Sequence, residues 1–278
     1  MPHESTATPT ADRAPHIEPP PTPAPRVVTP SALSLFHDCP RRYAFRYVER
    51  VPAEFHPVAF SFGRALHAAV EAGVGPPLRE SPALDAAKSR FLQVFRQECA
   101  ENPVRFEEGD SQERAEVLGL HLVEVFFAHV PFHEIAAAEV SFEVPLSHLV
   151  RRPEPIVLRG RFDLRLAGGE VGEIKTTKRP LLLPVLRRSM QLRAYVLAAL
   201  LLEGRAPSVR LIQLLKSEDA SSCSIIDLSF APEELSDFIE TVRRMLQVID
   251  RRRFFRNVGA RCWYCEYEDR CLGRGPTQ

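Results

Sequence analysis

The sequence predicts one mixed α/β domain: a block of helices, then a sheet with a crossover helix, then a short cysteine-rich end. Three observations predict it. Apolar residues recur at helical spacing from about residue 31 to about 130, with proline and glycine marking the gaps. After Pro131 the period changes to two, in "AAEVSFEVPL", "VLRGRFDLRL" and "EVGEIKTT". Three cysteines then crowd into "RCWYCEYEDRC" at 261–271.

Taken in order, residues 1–30 hold nine prolines and almost no large apolar side chain, which predicts a disordered tail. Ser31, after Pro30, is the expected N-cap of a helix over "ALSLFHD". Cys39-Pro40 interrupts that helix, and "RRYAFRYVER" resumes it with aromatics at helical spacing. "SFGRALHAAVEAG" is a further helix, ended by glycine, and residues 81–101 and 111–130 read as two long amphipathic helices. Those two form a helical insertion, about 80–130, within a domain spanning 31–272. Beyond the strands, a helix at about 186–203 leads to the strand "VRLIQLL". A strand at "SIIDLSF" and a helix from about 232 to 250 follow. Strands separated by a helix of that length imply a crossover connection and a partly parallel sheet.

With 278 residues, 45% of them apolar, the chain can bury a substantial core. Its formal net charge is zero, but 80–150 carries 13 acids against 5 bases, and 151–270 carries 22 bases against 16 acids. The basic second half suits a polyanion. No run of 18 apolar residues occurs, which excludes a membrane-spanning helix. The start lacks the basic and apolar stretches of a signal peptide, and six cysteines in so large a chain suit reduced thiols or metal ligands. The expected compartment is the cytoplasm.

The stretch "LRGRFDLRLAGGEVGEIKTTK" carries Asp163, Glu173 and Lys175. Period-two geometry puts Glu173 and Lys175 on one face of their strand. A two-residue Gly168-Gly169 loop would send Asp163 to the other face. A three-residue loop, Ala167 to Gly169, pairs Asp163 with Glu173, Phe162 with Ile174 and Arg161 with Lys175. The second register separates an apolar from a polar face and is the one expected. Two carboxylates directly opposite each other repel unless a cation lies between them, and hard oxygen ligands suit magnesium or manganese. Four of the 36 basic residues are lysines, two of them Lys175 and Lys178, so a lysine here marks a need for a compact ammonium. Glu139 reads as a strand-end charge.

A thiolate cluster of the density seen at Cys262, Cys265 and Cys271 usually holds a metal and needs a fourth ligand. Spacing alone does not choose between zinc and an iron–sulfur cluster.

An Asp followed by Glu-x-Lys on the next strand resembles the PD-(D/E)XK nuclease superfamily. "GRFDL" and "GEIKTTK" are close to its RecB-like branch. "FGRALHAAVE" resembles that branch's helix with a metal-binding histidine, here His67, and "QLRAY" its Gln-x-x-x-Tyr helix, here Gln191 and Tyr195. "SLFHDCPRRYAFRY" resembles the N-terminal segment of the iron–sulfur members, such as the AddB nuclease domain and CRISPR-associated RecB-type exonucleases. The resemblance implies a restriction-endonuclease-like core, a mixed central sheet flanked by helices. It supplies Cys39 as the fourth ligand of a [4Fe-4S] cluster with Cys262, Cys265 and Cys271, stapling the N- and C-terminal segments together. Cys99 and Cys223 are left as core residues.

It further implies a DNA nuclease, in the exonuclease manner, serving repair, recombination or CRISPR-type processing. His67, Asp163, Glu173 and the Ile174 carbonyl would hold Mg2+ or Mn2+, and Lys175 would act on the nucleophile or the developing oxyanion. Gln191 and Tyr195 would position the strand, with Arg41, Arg42, Arg187, Arg188 and Arg193 as phosphate contacts. The implied partners are DNA, single-stranded or at its ends, and a helicase or another repair or CRISPR protein. Two other readings remain open: a DNA-binding subunit that does not cut, and a zinc-stapled interaction protein.

Overall fold

A three-residue turn fixes the register at the centre of the molecule. In the computed structural model, which describes residues 24–75, 81–216 and 222–274, β5 (Ile156–Leu166) and β6 (Val171–Thr177) pair antiparallel through Leu164–Gly172 and Arg165–Val171. Leu166 N–H closes the turn onto Glu170 O at 3.0 Å. Gly169 sits at φ 92°, a conformation that favours glycine, which is why this loop can be so short. Continuing the register sets Asp163 opposite Glu173, as expected. The ladder stops there, however, and the expected pairs Phe162–Ile174 and Arg161–Lys175 do not form. On its opposite edge β5 stays paired, Arg161 with Ser141 and Phe162 with Val140 of β4 (Ile135–Pro145). The strands part because the Asp163 carboxylate takes the Ile174 amide, with Oδ2 accepting at 2.8 Å.

β4 covers one edge of β5 along most of its length. On the other edge, β1 (Arg26–Val28) pairs parallel with Ile156–Leu158, and β6 pairs near the far end. β6 runs parallel to β7 (Val209–Leu215), and β8 (Ser222–Leu228) closes the six-stranded sheet antiparallel to β7. The crossover is made by α6 (Leu183–Arg187) and α7 (Met190–Glu203), two helices where one was expected. Ser189 separates them, its Oγ accepting from Leu192 N–H as the N-cap of α7.

The strand β1 corrects the reading of 1–30 as a disordered tail over its last residues; residues 1–23 lie outside the described ones. Three residues of parallel pairing carry no readable alternation, and the flanking prolines Pro25 and Pro30 are tolerated at a strand margin. The first helix is α1 (Pro30–Asp38), and its cap is Thr29 rather than Ser31. Thr29 Oγ1 accepts from Ala32 N–H at 3.1 Å, and Pro30 supplies a preset first helical residue. After Cys39 the chain re-enters a helix at α2 (Pro40–Tyr43), which continues as a π-helical turn over Ala44–Val48.

Helices cover both faces of the sheet. On one, α1, α7 and α8 (Pro232–Asp250) bury Leu33, Phe36, Ala194, Phe238 and Leu246 against Phe142, Leu158 and Phe162. On the other, α3 (Val58–Val74), α4 (Leu84–Glu101) and α5 (Gln112–His129) bury Phe62, Leu66, Phe91, Phe95, Leu122 and Phe126 against Leu164, Ile174 and Leu214. The expected insertion therefore forms the outer layer that seats α3. Gly119 of α5 makes this layer possible, because a Cβ there would lie 1.9 Å from the Phe91 ring. Phe91 in turn packs edge-on against Phe62 at 5.3 Å, so that truncating it is expected to cost about 3–5 kcal/mol. A small parallel pair, β2 (His56–Pro57) with β3 (Val104–Arg105), ties the two helical segments together. A short helix, α9 (Glu268–Leu272), ends the described chain. Among the described residues, no helix is long and apolar enough to cross a membrane.

Candidate active site

Three adjacent strands each present a carboxylate at one level of the sheet. Asp163 lies opposite Glu173 by the β5–β6 register and opposite Glu139 by the β4–β5 register. His67 reaches in from α3, its Nδ1 3.0 Å from Glu139 Oε1 and 3.4 Å from Asp163 Oδ1. Ligand atoms of His67, Glu139 and Asp163 all fall within 4.8 Å of one another, the only such group of histidine, cysteine or acid among the described residues. Glu173 is wholly buried and Asp163 is 6% exposed.

Glu139 corrects the reading of a strand-end charge. It stands in the interior of β4 with φ 53°, a left-handed conformation that strains a residue with a side chain. Its carboxylate is held by His67 and by Arg161 Nη1 at 3.3 Å.

Burial and mutual repulsion set the electrostatics. Burial, then the neighbouring Glu173 charge, pushes the Asp163 pKa well above the ordinary carboxylate range. Burial works against a charged His67, but Asp163, Glu139 and Glu173 outweigh it and push the ring's pKa up to about 9. For Lys175, burial is likewise outweighed by Glu173 and Asp163, so its ammonium is held more firmly than usual. Burial also opposes the charge on Glu139, yet the His67 and Arg161 contacts keep its pKa below the usual range.

Lys175 and Glu173 form an ion pair through Nζ and Oε1, while Oε1 has no hydrogen bond of good geometry. One glutamine bridges them: Lys175 Nζ donates to Gln191 Oε1 at 2.9 Å, and Gln191 Nε2 donates to Glu173 Oε2 at 3.2 Å. Gln191 Nε2 also lies 3.1 Å from the Tyr195 hydroxyl. The Tyr195 ring packs edge-on against Phe162 at 5.4 Å. Burial, with Glu173 and Asp163 close by, raises its pKa well above normal, so it stays a neutral phenol. The Gln-x-x-x-Tyr pair therefore meets Glu-x-Lys directly. A buried carboxylate oxygen left without a good donor, next to two further carboxylates and an imidazole, is a donor set that fits a divalent cation.

The four predicted cluster cysteines come together as well. Cys39, between α1 and α2, lines one cavity with Cys262, Cys265 and Cys271. Burial raises the Cys271 thiol and pushes Cys265 up to about 11. Polar contacts hold the two chain segments together around the cavity. Arg42 Nε donates to the buried Glu266 at 2.9 Å, Asn257 Nδ2 to Asp38 O at 2.9 Å, and Arg41 N–H to Phe255 O at 3.0 Å. Cys99 and Cys223 lie apart from this cavity, against the core under α3–α5.

The expected phosphate arginines divide. Arg187 pairs with Glu234, Arg193 with Asp237, Arg41 with Glu49 and Arg42 with Glu266, so four of the five are engaged by acids. Arg188 is exposed on the α6–α7 connection. Arg42 alone of the five lines a cleft of about 790 Å³ that Gln191 also lines, with Arg46, Arg50 and Arg64 on its walls. Sequence reading missed those three, although Arg42, Arg46 and Arg50 recur every fourth residue, the signal of one helix face.

The solved structure of SSO0001 aligns over 91% of this chain and 89% of its own, at 16% identity and TM-score 0.44. An Eubacterium rectale protein whose structure is named "Putative exonuclease" aligns over 90% of this chain and 88% of its own, at 12% identity and TM-score 0.59. The second likeness supports the fold. No curated protein matches. Residues 27–272 match the family model of the PD-(D/E)XK nuclease superfamily. That match spans the sheet, the carboxylate row and the cysteine segment, and the chain belongs to the PD-(D/E)XK nuclease superfamily.

Proposed function

We propose that the protein is a metal-dependent deoxyribonuclease of the RecB-like branch, cutting phosphodiester bonds from DNA ends as an exonuclease. The observation that carries this reading is the meeting of Glu139, Asp163 and Glu173 on adjacent strands with His67 and with a lysine held by Gln191. His67, Glu139, Asp163 and Glu173 would hold Mg2+ or Mn2+, the Ile174 carbonyl adding to them by analogy with the family. The cation, when bound, supplies an acidified water and offsets charge on the scissile phosphate.

The chain's own residues do the rest. Asp163 fixes the Ile174 peptide, and so the start of the Glu-x-Lys strand. Gln191 holds Lys175 Nζ beside Glu173, where an ammonium can orient the nucleophile or balance a developing oxyanion. Tyr195 anchors the glutamine from the core side.

The four cysteines would hold a [4Fe-4S] cluster as a structural staple. That Cys39, Cys262, Cys265 and Cys271 line one cavity supports a site shared by all four.

The test is end-labelled single- and double-stranded DNA incubated with anaerobically purified protein and manganese, magnesium or chelator. Progressive shortening that chelator stops is the expected result. A metal-independent or absent reaction, with the cluster intact, would overturn the reading.

A further inference from the structure

The cleft that Arg42 and Gln191 line has a chemistry of its own. Its wall includes the stretch from α2 through the π-helical turn, which carries Arg42 and Arg46, and Arg50 just beyond that turn at φ 52°. Such turns break regular helix and recur where a backbone is shaped for a ligand. Arg42 is engaged by Glu266, but Arg46 and Arg50 have no carboxylate within 4.0 Å among the described residues. Beside Arg42 and Arg46 stand two aromatic rings that the core does not absorb. Phe60, in the first turn of α3, is 43% exposed, and Tyr47 is 39% exposed. The Arg42 and Arg46 guanidinium carbons lie 6.0 and 5.9 Å from the Phe60 ring centre, and Arg46 lies 5.8 Å from that of Tyr47. A half-exposed phenylalanine beside Arg46, which no carboxylate engages, offers a π-face for a base and a cation for a neighbouring phosphate.

Shape and charge then choose the form of the ligand. About 790 Å³ is the size of a pocket for one compact ligand, enough for a short run of splayed nucleotides and far too small for a duplex. Asp38, Glu98 and Glu266 also line the cleft. They are paired with Arg261, Arg64 and Arg42, so the unpaired charge of the cleft is that of Arg46 and Arg50, enough for the phosphates of one strand. We propose that this cleft binds single-stranded nucleic acid, stacking one base on Phe60 and holding its phosphates with Arg46 and Arg50, so that the strand runs toward Gln191 and the carboxylate row. Substrate selection would then rest on unstacking of a base at Phe60, upstream of the chemistry. This deepens the nuclease reading and rests on it only for what happens to the strand once bound.

Binding and cutting can be separated in the test. Full-length protein in chelator is titrated into a labelled single-stranded oligonucleotide and into a blunt hairpin duplex of the same composition, with fluorescence anisotropy as readout. The single strand is expected to bind at least tenfold more tightly. Phe60→Ala should weaken it by about 5- to 150-fold, the range for loss of one stacked base, and leave the salt slope unchanged. Arg46→Gln should weaken binding and make the log–log salt slope shallower by about 0.7, the single-strand value for one phosphate contact. Phe60→Trp should retain binding, and unchanged melting temperatures confirm that the variants fold. Equal affinity for duplex and single strand, or Phe60→Ala binding at wild-type strength, overturns the proposal and points to another occupant, such as a protein segment. Cleavage that persists while Phe60→Ala binds normally would sink this cleft and spare the nuclease reading. Phe60-dependent binding without any cleavage would do the reverse.

Discussion

The Asp163 carboxylate accepts the Ile174 amide at 2.8 Å, in the place where the next rung of the β5–β6 ladder would otherwise form. One side chain thus performs two tasks: Oδ2 ends the pairing of the strands, and Oδ1 faces His67 at 3.4 Å.

Those tasks separate in two substitutions. Asp163→Asn keeps an oxygen for the Ile174 amide but removes the charge, and is expected to abolish cleavage while the metal-free melt stays close to wild type. Asp163→Ala removes the acceptor too, leaving a buried N–H unsatisfied at a cost of about 1–3 kcal/mol. Thermal melts of both variants in chelator check this. A wild-type melting temperature for Asp163→Ala would show that the amide finds another partner.

Gln191 is a positioning residue, since its contacts in the site are with Lys175, Glu173 and Tyr195. Gln191→Leu should lower kcat by about 10- to 100-fold, the usual penalty for losing a supporting partner of a metal-site residue. KM should move little, and Gln191→Glu should not restore the rate, because a carboxylate cannot donate to Glu173. A KM effect larger than the kcat effect would assign Gln191 to substrate binding instead.

His67 gives the metal-free protein a pH signature. Its folded pKa, about 9, lies above the unfolded value of about 6.5. The charged ring therefore contributes stability that is fully present below about 6.5 and is lost as pH rises through about 9. Melting temperature in chelator should fall across that window, and His67→Gln should flatten the fall. An unchanged profile in the variant would mean that the drop belongs to other groups.

How much of this could be read from the sequence depended on range. The Asp163–Glu173 register followed from a loop length and one glycine, both local. The early parting of β5 and β6 did not, because it depends on where a side chain, not a backbone, spends its hydrogen bond. Glu139 was passed over for a similar reason: alternation cannot reveal a left-handed residue inside a strand. Arg46 and Arg50 were readable as spacing, but the π-helical turn and the cleft that give them meaning are tertiary. The meeting of Cys39 with three cysteines more than two hundred residues away came from resemblance alone, and no local signal announced it.

That long-range meeting makes the last prediction. Cys39, Cys262, Cys265 and Cys271 share one cavity, and Arg42 connects its wall to the neighbouring cleft by holding Glu266. Metal binding and folding are coupled when ligands come from distant segments. Cys39→Ala should therefore bleach the brown colour of anaerobically purified protein, lower its iron content and lower its melting temperature. Cys99→Ala, against the core under α3–α5, should change none of the first two and cost only what a small core truncation costs. Glu266→Gln separates staple from cofactor: it leaves the Arg42 charge poorly matched in a largely buried place, at a cost on the order of 3 kcal/mol. Iron should stay bound in that variant while the C-terminal segment loosens, and nucleic-acid affinity should rise, because the substitution takes a carboxylate off the cleft wall and frees the Arg42 charge. Visible absorbance, iron content and thermal melts of the three variants decide the matter. Full iron and wild-type stability in Cys39→Ala would remove Cys39 from the ligand set and leave the chain's two ends joined by polar contacts alone.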